Sequence, residues 1–219
     1  DQLEVTLTQD RMTAIAHGII AWAQQQGIEA PITIAIGNDG RISAEQLKAG
    51  LIQGFSEYPV EILDMGVATT PAMFMATQFS EFDADIGIML TASHLPMIYN
   101  GLKLFTKSGG AESSDIAYIL KEAQNYEQIE NLREQAVSVR EHDLLSRYGS
   151  WLVEQIRSGM NTLDKEPLKD WHIVVDAGNG AGGFFVQEVL EQLGAKTEGS
   201  QFLEVDGTFP NHIPNPDDL

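Results

Sequence analysis

The sequence contains no cysteine. This excludes a disulfide framework, a thiolate zinc site and a thiol nucleophile, and it is compatible with a reducing cytoplasm. Basic residues are scarce: 13 Lys and Arg stand against 32 Asp and Glu in 219 residues, a formal net charge of −19. Such a chain has no electrostatic drive toward nucleic acid or an anionic membrane surface, so neither is expected as a partner. An anionic ligand would have to be gripped by local features. No stretch approaches the roughly 18 apolar residues of a membrane span, and the opening DQLEVTLTQDRM has neither the basic nor the apolar region of a secretion signal. There is no internal repeat and no low-complexity tract. The remaining composition, 43% apolar and 21% charged, is that of a soluble globular chain, expected to be cytoplasmic and long enough for one large domain or two small ones. It begins at Asp1 and stops at Leu219 without a closing element, and is therefore expected to be a piece of something longer.

Hydrophobic periodicity switches repeatedly between the helical and the extended pattern. From Thr8, residues Met12, Ile15, Ala16, Ile19 and Trp22 form a helical stripe that ends at Gly27. Residues 32–36 read as a buried strand. The loop Gly37-Asn38-Asp39-Gly40-Arg41-Ile42 leads to Ser43, which with Gln46 predicts a capping box for a helix bearing Leu47, Leu51 and Phe55. A second strand is expected at 60–65. Thr70-Pro71 reads as a cap with proline at the first helical position, opening a helix over 72–79. A third strand covers 84–90, and after the Asn100-Gly101 turn signal residues 102–106 return antiparallel to it. Residues 113–126 are helical, and the charged run over 124–141 reads as a solvated connection.

A boundary near residue 140 divides the chain. Beyond it come an amphipathic helix with Leu144, Leu145, Tyr148, Leu152 and Ile156, a strand at 172–175, a glycine-rich loop, a helix over 184–193 and an extended tail. Alternating strands and helices predict α/β layering. The expected fold is a layered α/β/α domain over 1–140 with a mixed, mostly parallel sheet, followed over 141–219 by part of a second, similar α/β domain.

Ligands of open parallel sheets bind at the carboxyl ends of the strands, and two loops stand there. The first, Thr91-Ala92-Ser93-His94-Leu95-Pro96, directly follows a buried strand. It offers Ser93 as nucleophile and His94 as a proton carrier, with Lys103 on the returning strand able to reach back. No Gly-x-Ser-x-Gly elbow surrounds the serine, so phosphoryl transfer fits better than acyl transfer. On spacing alone a turn serine, a loop histidine and a solvated lysine account for the same residues. In the second loop Gly178, Gly180 and Gly183 spell G-x-G-x-x-G between a strand and a helix, with Glu204 where a ribose-binding acid is expected. That spacing suggests a dinucleotide-binding module, although too little chain follows for the remaining strands of such a sheet. The alternative is a tight turn with close packing. Arg41 is a third candidate, either as a phosphate clamp or tied with Asp39 to hold its own loop. No metal-ligand spacing joins Asp206, Asp217 or Asp218 to a histidine.

Four segments occur in order: GNDGRIS at 37–43, TASHLPMIYNGLKL at 91–104, VDAGNGAGG at 175–183 and FPNHIPNP at 209–216. Together they resemble the α-D-phosphohexomutases, the phosphoglucomutase and phosphomannomutase group, over essentially the whole chain. The resemblance implies a four-domain enzyme of which this chain holds the first domain and about half of the second. It makes the glycine-rich segment structural. It further implies that Ser93 carries the phosphoryl group, that Lys103 assists proton transfer, that His94 is the neighbouring active-site histidine, and that a hexose phosphate is the substrate. Mg²⁺ is the implied cofactor, bound in this chain only through the phosphoryl group on Ser93, its remaining ligands lying in later segments together with the sugar- and phosphate-recognition loops. This chain alone is then expected to be inactive. Two positions depart from the family pattern: Leu95 replaces the usual asparagine and Asn38 a common arginine. A non-catalytic member, with the Leu95 change marking lost chemistry, is the remaining alternative.

Overall fold

A computed structural model describes residues 5–126 and 137–215. Its framework is one six-stranded sheet in the order β5-β4-β3-β1-β2-β6. The strands are β1 (Ile32–Asn38), β2 (Val60–Val67), β3 (Ile86–Leu90), β4 (Leu102–Thr106), β5 (Gly109–Gly110) and β6 (Ser138–Glu141). β1 runs parallel to both β2 and β3, β6 runs parallel to β2, and β4 and β5 are antiparallel additions at the other edge. The central strands are apolar on both faces, as a sheet covered on both sides requires.

Alternation along each strand splits the core into two layers. Ile34, Ile36, Ile62, Ile86 and Ile88 pack against α1 (Gln9–Gln25), α2 (Ala44–Phe55) and α4 (Ser113–Gln124) through Met12, Ile19, Leu47, Leu51 and Ile119. On the opposite face Ala35, Leu63, Met65 and Met89 meet α3 (Thr70–Ala76) and α5 (Leu144–Gly159) through Ala72, Met73, Leu144 and Tyr148. The result is the expected α/β/α layering around a mixed sheet. Gly87 lets α3 lie close to β3, since a Cβ there would stand 2.9 Å from the Met73 carbonyl oxygen.

Several local expectations need correction. Ser43 does not cap α2 with its side chain; its hydroxyl instead accepts from Asn100 Nδ2 at 2.9 Å, a tertiary partner that outcompetes the local one. The cap of α3 is Thr69, one residue earlier than expected, with its Oγ1 accepting from the Ala72 N–H, and the helix stops at Ala76. Residues 127–136 of the expected solvated connection lie outside the described residues, and its end is β6, held to the sheet edge by backbone pairing and by Arg140 against Glu61 at 2.6 Å. The strand expected at 172–175 is not a sheet strand: among the described residues this region makes only single bridges, His172 with Lys196 and Asp176 with Gln201. The helix expected at 184–193 is present but begins earlier, at Ala181, and is irregular, with a wide turn at Val186–Leu190 between tight ones, and Gly194 ends it at φ +85°.

Candidate active site

The loops after β1, β2 and β3 all emerge on one edge of the sheet, and the glycine-rich segment and the tail close over them. Between them lies a cavity of about 600 Å³ whose walls include Asp39, Thr69, Ser93 and His94 from the first unit and Asp176, Gly178, Phe209 and His212 from the second. The seam is tight. A Cβ on Gly207 would stand 2.1 Å from the Gly40 carbonyl oxygen, so only glycine allows the tail to press against the β1 loop.

Ser93 is exposed on this cavity and adopts φ +56°, a left-handed conformation that disfavours side chains other than glycine and asparagine by about 1–2 kcal/mol. Among the described residues no protein group hydrogen-bonds to its hydroxyl. His94 shares the cavity wall and is also exposed. Lys103 is exposed on β4, paired with Met89 of β3. Directly opposed residues of an antiparallel pair project from the same face. Lys103 therefore rises on the side of Met89, which lines the cavity, without itself forming its wall.

Arg41 differs from the phosphate clamp considered above. It is 2% exposed, and its five N–H groups are all taken. Nε donates to Asp39 Oδ2 at 3.0 Å, Nη1 to the Pro96 and Tyr99 carbonyls at 2.8 Å each, and Nη2 to the Ser93 and Leu95 carbonyls at 2.9 and 2.7 Å. A guanidinium has no further donors, so no substrate-binding role is left to it in this arrangement. It fastens the serine loop from beneath, as the alternative reading of Asp39 and Arg41 expected. The guanidinium also faces the ring of Phe209, 5.7 Å away.

The second wall was not read from the sequence. Asn179, buried at φ +58°, donates from Nδ2 to the Glu204 carbonyl and accepts from Asn211 Nδ2, tying the glycine segment to the tail. Gly183 allows the Leu203 carbonyl to approach within 1.9 Å of where a Cβ would lie. The glycines thus serve packing, and with no sheet strand before them the dinucleotide arrangement is not built. Glu204 contributes its carbonyl, not a positioned carboxylate, to these contacts.

His212 bridges the two segments. Its Nε2 lies 3.1 Å from Asp176 Oδ1 and its Nδ1 lies 2.9 Å from the Ile213 carbonyl. Both partners accept, so both ring nitrogens must donate and the ring is cationic when the bridge is intact. The Ile213 carbonyl first, and then Asp176, raise the His212 pKa above 6.5. Gln201, with His212 and the Gly178 N–H, holds the Asp176 carboxyl below 3.8. The histidine's contribution is complete below pH 6.5 and is lost as pH rises through its folded pKa. The carboxylate's is complete above pH 3.8 and is lost as pH falls through its own. The bridge is therefore strongest between those values. NMR titration of His212 should give a midpoint above 6.5, and Asp176→Asn should move it down; an unchanged midpoint would remove Asp176 from the bridge.

Among the described residues no group of three or more His, Asp or Glu could hold a metal ion. Asp39 is committed to Arg41 and Thr91, and Asp176 to Gln201, His212 and the Gly178 N–H. These residues do not make a magnesium site. No described helix is long and apolar enough to cross a membrane.

A three-layer α/β/α domain presenting a serine at the carboxyl edge of its sheet, walled in by a second glycine-rich unit, defines an α/β protein with a cleft between the two. The family model described as phosphoglucomutase/phosphomannomutase, alpha/beta/alpha domain I, matches residues 2–130, and the one for domain II matches residues 150–218. A phosphoglucomutase of Neisseria meningitidis is 33% identical over 215 residues, covering 96% of this chain and 42% of that relative. A phosphomannomutase/phosphoglucomutase of Pseudomonas syringae is 35% identical over 188 residues, covering 85% of this chain and 37% of that relative. A crystal structure of a phosphoglucomutase/phosphomannomutase family protein from Burkholderia thailandensis superposes with a TM-score of 0.79 at 25% identity, covering 99% of this chain and 45% of that one. The chain belongs to the phosphoglucomutase/phosphomannomutase family, and it spans less than half the length of these relatives.

Proposed function

We propose that the chain is the phosphoserine-bearing part of a phosphohexomutase, with residues 1–140 as its first domain and 141–219 as part of its second. The observation that carries this is the placement of Ser93: exposed, held on a loop at the end of β3, and facing a cavity large enough for a hexose phosphate. Phosphorylated Ser93 transfers its phosphoryl group to a free hydroxyl of the sugar phosphate. The Oγ–P bond breaks, a sugar O–P bond forms, and the hydroxyl proton passes through a base to the Ser93 oxygen that is released. The bisphosphate then returns its other phosphoryl group to Ser93, and the proton travels back. His94, which shares the cavity wall with Ser93, and Lys103, which rises from the sheet face of Met89, are the proposed proton carriers. With a net charge of −19 against an anionic substrate, neutralisation has to be local. Mg²⁺ would supply such charge when bound, and among the described residues the phosphoryl oxygens on Ser93 are what would hold it.

Incubating the full-length protein with glucose 1,6-bisphosphate and measuring intact mass tests the reading. One phosphoryl group, located on Ser93 by fragmentation, is the expected product. A protein that turns over hexose phosphate yet never carries phosphate on Ser93 would contradict it. The 219-residue chain alone is expected to show no interconversion of glucose 1-phosphate and glucose 6-phosphate.

A further inference from the structure

The backbone of Ser93 is pinned on both sides while its hydroxyl is left uncommitted. Its N–H donates to Thr91 Oγ1 at 2.9 Å and its carbonyl accepts from Arg41 Nη2 at 2.9 Å. Thr91 Oγ1 lies 2.7 Å from Asp39 Oδ2, and that same oxygen accepts from Arg41 Nε at 3.0 Å. The four residues close a ring. Its polarity is fixed, because a hydroxyl that accepts an amide proton has one hydrogen left, and a carboxylate can only receive it. Arg41 and Thr91 are both buried, 2% and 6% exposed, so water does not readily replace these bonds. The left-handed region is unfavourable for serine, so a Ser93 released from such a ring has no local reason to keep the conformation in which it lines the cavity.

We propose that Thr91, together with Asp39 and Arg41, is a positioning residue for phosphoryl transfer: the ring holds Ser93 left-handed so that its oxygen faces the cleft throughout the cycle. The proposal rests on Ser93 being the phosphoryl carrier. It assigns the threonine hydroxyl a part in the reaction although that group need touch neither substrate nor phosphate.

Thr91→Val removes the hydroxyl at constant shape, and Thr91→Ser keeps it. In the full-length protein, Thr91→Val is expected to slow loading of Ser93 from glucose 1,6-bisphosphate and to lower kcat by about 30- to 100-fold, the scale expected for an ångström-sized misplacement. KM should stay within about threefold, because the ring binds no substrate. Thr91→Ser should restore loading, whereas a merely structural threonine would not be rescued by its hydroxyl alone. Amide exchange of Ser93 in the 219-residue chain should become at least about tenfold faster in Thr91→Val, as expected when a protecting hydrogen bond is lost. Loading of Thr91→Val at the parent rate would overturn the proposal, as would equal loss in both variants. If the parent protein never loads Ser93, the function reading fails by itself. Exchange then decides the ring: unchanged Ser93 protection in Thr91→Val overturns it, and lost protection rescued by Thr91→Ser upholds it.

Discussion

Replacing Ser93 with alanine in the full-length protein should abolish interconversion of glucose 1-phosphate and glucose 6-phosphate. Removing a covalent nucleophile typically costs a factor on the order of 10⁴ or more in kcat, because binding and charge stabilisation alone cannot store the phosphoryl group between its two transfers. Stability should barely change, within about 0.5 kcal/mol, since the side chain is exposed and makes no protein hydrogen bond among the described residues. Ser93→Gly should be equally inactive but more stable by up to about 1 kcal/mol, because glycine carries no penalty at φ +56°. Two equally inactive variants that differ in stability would separate chemistry from folding. A Ser93→Ala enzyme within about tenfold of the parent, far above the residual activity expected after loss of a nucleophile, would remove the serine from the mechanism.

The second large effect concerns folding. Arg41→Met should destabilise the 219-residue chain by about 3–5 kcal/mol, the cost of removing one partner from a buried ion pair, measured as a lowered urea midpoint. Methionine fills much of the arginine's volume, so the loss reports mainly polar groups. Asp39 keeps the Thr91 hydroxyl but loses its cation, and the carbonyls of Ser93, Leu95, Pro96 and Tyr99 lose their donors. Arg41→Lys should recover only part, since an ammonium has three protons and no planar fork to distribute among these acceptors. A loss below about 1 kcal/mol, the scale of an exposed pair, would mean that water enters and replaces the guanidinium.

How far such features could be read in advance depends on where their partners lie. The central strands were legible because burial on both faces writes a continuous apolar run, as at Ile86–Leu90. The stripe of α1 was legible because its core face repeats at helical spacing. β6 left no such trace: Ser138, Val139, Arg140 and Glu141 are all exposed, and an edge strand held by backbone pairing needs no apolar pattern. Ser43 carried a valid local signal, but Asn100 claimed its hydroxyl from 57 residues away.

The site divides in the same way. Ser93, His94 and Lys103 lie close together in sequence around one strand and its return, and their placement follows from the turn. The burial of Arg41 was not legible, because its partners are mostly main-chain oxygens and any residue type supplies those. Nor was the bridge between Asp176 and His212, 36 residues apart and brought together only by the fold of the second unit.

The four carbonyls gathered by one guanidinium have a consequence for how this loop can change over generations. Apart from His94, side chains between Ser93 and Tyr99 can vary without loosening this clasp, since backbone oxygens do the binding. The number of residues cannot. An insertion or deletion inside that segment would put at least one oxygen out of the arginine's reach, so the clasp fixes the loop's length and leaves its spelling to the chemistry.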